Sequence, residues 1–173
     1  MRIAQTHSYR HAEAILEVEY PQHTGEVREV LAAVDWQLLE EPKGRVRDGH
    51  VVAVLDVDQA ATNAEIEKQF EQRGWTPRPR IVSHAGSRLV ADFKKGPIQV
   101  EVQFGNMARW YTDVFKFLVS YAADDIEVGI LIVPMQDASK RIDENVAYFE
   151  RVVRELPHAK MAITIPVWVV GVE

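Results

Sequence analysis

Cysteine is absent from the 173 residues, and no stretch approaches 18 consecutive apolar residues. The first absence excludes a disulfide framework and thiolate chemistry, and the second excludes a membrane-spanning helix. The N-terminus also lacks the basic-then-apolar layout of a secretory signal peptide. With 47% hydrophobic and 27% charged residues, the composition predicts a single globular domain over residues 1–173 that resides in the cytoplasm.

Two other common sources of chemistry are missing. Apart from His7 and His11, which lack a third ligand, the six histidines show no metal-ligand spacing, so no zinc site is predicted. No glycine-rich phosphate loop is present, so the use of ATP or GTP is not expected.

The charge of the chain is unevenly distributed. The net charge of −6 does not by itself favour binding to the phosphates of nucleic acid. However, residues 1–67, 68–116 and 117–173 have net charges of −7, +5 and −4. The basic surplus of the middle third includes Arg73, Arg78, Arg80, Arg88, Lys94, Lys95, Arg109 and Lys116. This cluster is either a DNA-binding surface or an ordinary solvated face, and the sequence leaves both open.

The middle third also contains a predicted β-hairpin with polar residues at fixed positions. Apolar residues alternate with Glu101 and Gln103 along residues 100–104. This period of two predicts a strand whose apolar side chains face a core and whose polar pair faces the other way. A Gly/Pro-marked connection over 94–97 separates it from a second extended segment that ends at Asp92. If the two segments pair, Asp92 lies close to Glu101.

Two carboxylates held a few ångströms apart repel each other unless a cation lies between them. Asp92, Glu101 and the backbone carbonyl of Val102 offer hard oxygen ligands of the kind that suits Mg²⁺. A divalent ion so held would stabilise the charge of a phosphodiester under attack and lower the pKa of a bound water. The alternative is an ordinary half-buried hairpin.

This arrangement resembles the D…(D/E)xK signature of the restriction-endonuclease-like nucleases, with Asp92, then Glu101, then Gln103 where lysine is usual. The string over 101–105 is similar to the BglII/BstYI-like subfamily of type II restriction endonucleases, which itself carries glutamine at the third position. Weaker matches to the same subfamily cover most of the chain: Met1-Arg2-Ile3, Gly74-Trp75, Asp113-x-Phe115, Ile126-Glu127-Val128-Gly129, Val133-Pro134-Met135 and the closing segment 166–171.

The resemblance implies an α/β restriction-endonuclease-like core, in which helices flank a mixed β-sheet, and hydrolysis of both strands of duplex DNA at a short palindrome. In such an enzyme Asp92, Glu101 and Val102 would hold Mg²⁺, while Gln103 would help to orient the attacking water. A palindromic site implies a homodimer. The resemblance further implies a GATC-centred six-base-pair site and four-base 5′ overhangs, and we expect a cognate DNA methyltransferase in the same host.

Contacts with DNA are predicted around the hairpin. Asn106 follows the proposed metal-binding strand and Asn145 begins a later segment; in BglII-like enzymes these two regions approach the major groove. Asparagine can read adenine N6 and N7 in a bidentate contact, whereas a turn or a helix cap is the alternative for both. Lys94, Lys95 and Arg109 belong to the basic surplus and are predicted to bind DNA.

Periodicity and turn residues predict the remaining elements. Helices are predicted at 11–20, from about 24 to 39, from a capping box at 62–65 to a stop at Gly74, at 109–122 and at 143–156. Strands are predicted at 50–57, 81–84, 126–133 and 163–171, where Pro166 indicates an edge or a bulge. Loops are predicted at 42–49 and 75–79. The helix at 109–122 would cross over from the hairpin to a parallel strand.

Other functions stay open on the sequence alone. A catalytically weak DNA-binding or repair-associated relative of the same fold would bind DNA without sensitivity to the central bases. A structural or regulatory protein would bind no metal at the hairpin. The segment between Trp75 and Asp92 is shorter than in BstYI-like enzymes, which would weaken the grip on DNA or alter the site choice. Four glutamates compete for a place near the metal, and a solvated face is the simpler role for each: Glu13, Glu17, Glu26 and Glu29.

Overall fold

The computed structural model describes residues 1–81 and 88–173. Within them the strands are β1 (Ile3–Tyr9), β2 (Leu38–Arg47), β3 (His50–Val57), β4 (Thr76–Pro77), β5 (Phe93–Lys95), β6 (Ile98–Val102), β7 (Val128–Pro134) and β8 (Val167–Val172). The α-helices are α1 (Ala12–Glu19), α2 (Pro21–Ala33), α3 (Gln59–Gln72), α4 (Arg109–Ala122), α5 (Gln136–Ile142) and α6 (Phe149–Glu155), and a 3₁₀ turn (Leu156–Ala159) follows α6. Most of the strand predicted at 81–84 lies outside the described residues. No helix in the described ranges is long and apolar enough to span a membrane.

A six-stranded mixed sheet organises the protein, in the order β1-β8-β7-β6-β5-β4. Strands β6, β7 and β8 are parallel to one another, while β1, β5 and β4 run antiparallel to their neighbours. Helix α4 is the crossover between the parallel strands β6 and β7, which confirms the predicted mixed α/β layout. Strands β2 and β3 form a separate two-stranded ribbon.

Strand β6 is covered on both faces. Ile98, Val100 and the following Phe104 belong to the large core that includes helices α1, α2 and α3. Its polar residues are turned the other way, as the alternation predicts, but they face helix α4 and not solvent, because Gln99 and Glu101 are 1% and 0% exposed.

Helix α4 begins and ends where the sequence predicts. Its buried apolar stripe contains Trp110, Val114 and Phe117, whereas Leu118 is only partly buried. The ring of Phe117 lies over Gly129 of β7, where a Cβ atom would be 2.7 Å from the ring. This close approach fixes how far the helix lies from the sheet.

Two predicted helix boundaries are wrong. The second helix ends at Ala33 and not near residue 39, because Val34 is already extended and leads towards β2. Helix α3 begins at Gln59, since Asp58 caps it by accepting a hydrogen bond from the backbone N–H of Ala61 at 3.0 Å. The predicted capping box at 62–65 therefore lies inside the helix. The predicted stop at Gly74 is confirmed, with a φ of 77° that favours glycine.

The helix predicted at 143–156 is also wrong in extent. Helix α6 covers only its last part, and α5 precedes the predicted start. The intervening residues instead bond to the loop after β6: Ala147 donates its N–H to Gly105 at 3.1 Å, and Met107 donates to the carbonyl of Asn145 at 2.6 Å. Long-range backbone pairing thus outweighs local helix propensity here.

Strand predictions differ from the structure at both ends of the sheet. Strand β1 was not predicted. Strand β8 lies inside the sheet between β1 and β7, so the expected edge position is wrong. Pro166 precedes the strand and therefore removes no hydrogen-bond donor from it.

The segment predicted as a loop at 42–49 belongs mostly to β2, and a register shift between Leu38 and Lys43 accommodates Pro42. Part of the other predicted loop, 75–79, forms the short strand β4.

The central hairpin exists, with shifted boundaries. Its first strand, β5, begins at Phe93 and contains both Lys94 and Lys95, so the connection is reduced to Gly96 and Pro97. The extended segment predicted at 88–92 lies outside the strands given above but pairs with residues 78–81. Val90 forms a bridge to Arg80, and Ala91 donates its N–H to the carbonyl of Pro79 at 3.0 Å.

The contact between Phe117 and Gly129 generates a prediction. A Gly129→Ala substitution should lower the free energy of unfolding by about 1–3 kcal/mol, because the methyl group would force helix α4 off the sheet. The matched control is Gly25→Ala in helix α2, where no atom beyond the adjacent residues and the local helix backbone lies within 4 Å of the added carbon and where about 0.5–1 kcal/mol of stabilisation is expected. Urea denaturation measures both; an unchanged Gly129→Ala midpoint would contradict the packing described here.

Candidate active site

The hairpin brings Asp92 to the end of strand β6. Phe93 pairs with Val100 across β5 and β6, so the residue before Phe93 lies beside Glu101 and Val102. The Oδ2 atom of Asp92 accepts a hydrogen bond from the backbone N–H of Val102 at 2.8 Å. The predicted closeness of the two carboxylates is therefore a consequence of the strand register.

Glu101 lies at the centre of a hydrogen-bonded chain. Its Oε1 atom accepts a hydrogen bond from Gln99 Nε2 at 2.8 Å, and the hydroxyl of Ser120 donates in turn to Gln99 Oε1 at 2.7 Å. Its Oε2 atom accepts a hydrogen bond from Lys116 Nζ at 2.6 Å. Both carboxylate oxygens are therefore held in fixed directions.

Gln103 is fixed by two contacts. Its Nε2 atom donates to Asp113 Oδ2 at 2.6 Å, and its Oε1 atom accepts from the backbone N–H of Gly105 at 2.9 Å. The donor and the acceptor end of the amide thus each have a defined partner, and the side chain links the end of the hairpin to helix α4.

Two residues of helix α4, Asp113 and Lys116, belong to this cluster, although the sequence placed Asp113 only in a family motif and Lys116 only in the basic surplus. Lys116 donates to Asp113 Oδ1 at 2.9 Å as well as to Glu101. The signal that could have identified them is their spacing. Asp113, Lys116 and Ser120 recur at three- and four-residue intervals, so they share the face of α4 that carries Phe117. A polar stripe on that face needs polar partners in the sheet, and Gln99, Glu101 and Gln103 provide them.

The electrostatics of the cluster follow from burial and like charge. Burial is the largest cause that raises the pKa of Asp92, and the hydrogen bond from Val102 only partly opposes it. Burial and then the neighbouring charge of Asp92 raise the pKa of Glu101 well above its usual value. Burial acts to lower the pKa of Lys116, but the carboxylates of Glu101 and Asp113 outweigh it, and the net shift is upward. The site is therefore an excess of negative charge gathered around one ammonium group.

A cleft of about 270 Å³ opens beside these residues. Asp92, Val102, Gln103, Asp113 and Lys116 line one side of it. Helix α3, the residue that follows strand β4 and the start of α4 line the opposite side, through Gln59, Asn63, Ile66, Glu67, Arg78 and Arg109. The polar lining gives a ligand with phosphate groups or bound cations access to the carboxylates.

Asn63 is a further residue that the sequence analysis did not single out as part of the site. It lies on helix α3 and lines the cleft. Its Oδ1 atom is buried and has no hydrogen-bond partner among the described residues. A buried amide oxygen without a partner is costly, so a water or a cation in the cleft would satisfy it.

The donor set of the cleft fits a hard divalent cation. Burial raises the pKa of both Asp92 and Glu101, and the charge of Asp92 raises that of Glu101 further, so a divalent cation would stabilise the ionised form of both carboxylates. The orphaned oxygen of Asn63 points to the same requirement. Residues 1–81 and 88–173 contain no cluster of three His, Cys, Asp or Glu side chains in metal-holding geometry, so backbone carbonyl, amide and water oxygens would complete the coordination.

The two predicted base-reading asparagines lie close together at the surface. Asn106 forms a β-bridge with Val146, next to Asn145, and both asparagines are exposed. The Oδ1 atom of Asn106 accepts a hydrogen bond from the backbone N–H of Ala108 at 2.9 Å, which is the turn that was considered as the alternative. The amide NH₂ group of Asn106 has no partner within the described ranges, so the turn leaves its donors available.

The three predicted basic contacts differ in their surroundings. Lys95 is bound internally, since its ammonium group donates to both carboxylate oxygens of Glu26 and to the carbonyl of Arg73. Lys94 forms an ion pair with Asp125. Arg109 is exposed at the mouth of the cleft and forms no ion pair with any described residue. Arg109 is therefore the member of this set that is available to a phosphate.

The four N-terminal glutamates lie away from the cleft lining. Glu13 and Glu17 pair with Arg28, and Glu29 pairs with Arg73, in keeping with polar helix faces. Glu26 is the exception to a solvated role, because it binds Lys95 and the indole N–H of Trp75 and is mostly buried.

The mixed sheet with its crossover helix and the carboxylates at the end of its hairpin define the fold of a restriction endonuclease. A crystal structure of restriction endonuclease BglII complexed with a DNA 16-mer matches with a TM-score of 0.73 at 21% identity, over 99% of this chain and 76% of that chain. Free BglII matches with a TM-score of 0.68 at 18% identity, over 100% of this chain and 80% of that chain. At these identities the two structures establish the fold alone.

Family membership comes from the sequence. The model of the restriction endonuclease BglII/BglIII family matches residues 4–172, whereas no curated protein matches the sequence. The chain therefore belongs to the BglII/BglIII family of restriction endonucleases, which are type II site-specific deoxyribonucleases. Membership implies DNA as the partner and a divalent metal ion as the cofactor.

The raised pKa of Glu101 predicts how stability depends on pH. The folded state binds the proton of Glu101 more tightly than the unfolded chain does, so this contribution is complete below the usual pKa of 4.5 and is lost as the pH rises through the folded-state value. We expect Glu101→Gln to remove this loss of stability at high pH, because glutamine does not ionise. In EDTA the variant should be more stable than the wild type at pH 8 and nearly equal to it at pH 4.

Chemical denaturation at a series of pH values measures this difference. Glu40→Gln is the matched control, because Glu40 is exposed and lies outside the cleft. A Glu101→Gln variant that is less stable than the wild type at pH 8 would show that the ion pair with Lys116 outweighs the cost of burying the charge.

Proposed function

We propose that this restriction endonuclease hydrolyses duplex DNA in a Mg²⁺-dependent reaction, with Asp92, Glu101 and the carbonyl of Val102 as the metal ligands. The observation that carries the proposal is the pair of carboxylates, Asp92 and Glu101, beside Val102 at the edge of a polar cleft, because Lys116 offsets their charge only in part. Mg²⁺ bound there would supply Lewis-acid stabilisation of the charge that develops on the scissile phosphate.

The protein residues have separate tasks in this proposal. A hydrogen bond from the backbone N–H of Val102 orients Asp92, and hydrogen bonds from Gln99 and Lys116 orient Glu101. Gln103 is uncharged and cannot act as a general base, so its task is to orient the attacking water. The contact with Asp113 supports this role, because it holds the amide in one orientation and leaves one N–H of its NH₂ group for another partner.

The site read by the enzyme is proposed to be a GATC-centred six-base-pair palindrome cut to four-base 5′ overhangs, with a cognate methyltransferase protecting the host. Two-fold symmetry of the site requires a homodimer in which each subunit cuts one strand. An exposed apolar face of helix α4, formed by Tyr111, Phe115 and the partly buried Val119, supports such an assembly.

Digestion of unmethylated plasmid DNA tests the reaction. With Mg²⁺ we expect discrete fragments whose ends map to GATC-centred sites. Asp92→Ala should lower the cleavage rate by at least about 1,000-fold, since the loss of a metal ligand removes several kcal/mol of transition-state stabilisation. EDTA should abolish cleavage.

The matched control for Asp92 is Asp137→Ala, which removes an exposed aspartate of helix α5 and should cut at the wild-type rate. Ends that map elsewhere would contradict the proposed site. Binding without cleavage, and without a preference for the central bases, would instead support the catalytically weak DNA-binding relative.

Titration of fluorescent duplexes in Ca²⁺ tests the interface. We expect two protein chains per GATC-centred duplex. Asn106→Asp keeps the acceptor for the Ala108 N–H but removes the amide donors, so it should reduce the preference for the cognate over a scrambled duplex by about tenfold. Arg109→Ala should weaken binding to both duplexes alike and lower the salt dependence by about one ion. One chain per duplex, or an unchanged preference in Asn106→Asp, would contradict these assignments.

A further inference from the structure

We propose that Lys116 is a tethered cation that competes with the divalent metal ion for Glu101. The inference rests on the proposed metal site and adds a control of metal affinity within it. In the absence of metal, the ammonium group of Lys116 occupies one oxygen of the buried Glu101 carboxylate, at 2.6 Å. Metal binding then requires Lys116 to withdraw from that oxygen.

The position of Lys116 is built by the fold. Its side chain is only 15% exposed, and Glu101 is fully buried, so their ion pair is screened little by solvent. Helix α4 holds Lys116 three residues after Asp113, whose Oδ1 atom accepts the second hydrogen bond of the ammonium group at 2.9 Å. The contact with Asp113 therefore keeps the ammonium group close to Glu101 when a metal ion binds.

The charges of the cluster explain why the two cations compete. Asp92, Glu101 and Asp113 carry three negative charges when ionised, and Lys116 offsets one of them. An ammonium group and a divalent ion that share one carboxylate in a low-dielectric site repel each other strongly. The repulsion is relieved when the ammonium group leaves Glu101.

Asp113 makes this exchange possible without exposing a buried charge. Its Oδ2 atom holds Gln103, while its Oδ1 atom holds Lys116. When the metal ion takes Glu101, Lys116 keeps its contact with Asp113 and remains paired. The two arrangements of Lys116, bridging and released, therefore differ in one hydrogen bond.

The sign of the effect on metal affinity distinguishes this role from a structural one. If Lys116 only held the site in shape, its removal would disorder the carboxylates and weaken metal binding. If it competes, its removal strengthens metal binding. The expected result for Lys116→Met is a dissociation constant for Ca²⁺ at least about tenfold lower than that of the wild type.

Isothermal titration calorimetry with Ca²⁺ measures this constant without any cleavage. The matched control is Lys68→Met, which removes a lysine that also pairs three residues back along a helix, with Glu65, but is exposed on α3; its affinity should equal that of the wild type. Glu101→Gln should lose binding in either background. Equal or weaker binding by Lys116→Met than by the wild type would overturn the inference and leave the metal site standing.

The remaining outcomes are also decisive. Binding by Lys116→Met alone would support the competition in its strongest form. No binding by either protein would refute the metal site proposed above, and the inference with it.

The wild-type protein provides a test that does not depend on how Lys116→Met folds. The ammonium group of Lys116 should give a ¹H–¹⁵N correlation in EDTA, assigned by its absence in Lys116→Arg. Saturating Ca²⁺ should shift or broaden this signal as the bond to Glu101 breaks. A signal that does not move while Ca²⁺ binds would show that the two cations do not compete.

Discussion

A carboxylate buried as completely as Glu101 must be hydrogen-bonded and offset by charge, because an isolated ion is far less stable inside a protein than in water. Strand β6 alone cannot meet this requirement. Its Gln99 donates one hydrogen bond to Glu101 but carries no charge, and the residues on either side of Glu101 are apolar. The missing partners come from helix α4. The docking of that helix on the sheet is thus a condition for the hairpin to carry its charge at all.

This requirement explains the composition of the helix–sheet contact. The face of α4 that packs on the sheet combines apolar rings with Asp113, Lys116 and Ser120, and each polar group has a partner in or beside β6. The close approach of Phe117 to Gly129 keeps the helix near enough for those hydrogen bonds. A larger residue in place of this glycine would act on the carboxylates as well as on packing. The packing of helix α4 on the sheet therefore also determines the electrostatics of the site.

The sequence predicted the parts of the fold that depend on local pattern. Helix α4, the alternation along β6 and the closeness of Asp92 and Glu101 follow from periods of 3.6 and 2 and from one turn. The errors occur where pairing with a distant segment of the chain determines the local structure. The extended stretch after α5 pairs with the loop that follows β6, and β1 forms by pairing with β8, and neither pairing leaves a signal in the local sequence. Asp113 and Lys116 are an intermediate case. The sequence shows that they share one face of helix α4, but it does not show which residues of the sheet they contact.

The residues that carry the proposed chemistry also share a property of chain order. Asp92, Glu101, Gln103, Asp113 and Lys116 all fall within the single segment 92–116, whereas most of the sheet joins strands far apart in sequence. Contacts of short sequence separation cost little loop-closure entropy, so this segment can bring its charged groups together before the outer strands are in place. The same segment also contains Asn106 and Arg109, so a change to this one short stretch of gene would alter the proposed reading of DNA together with the proposed cutting of it.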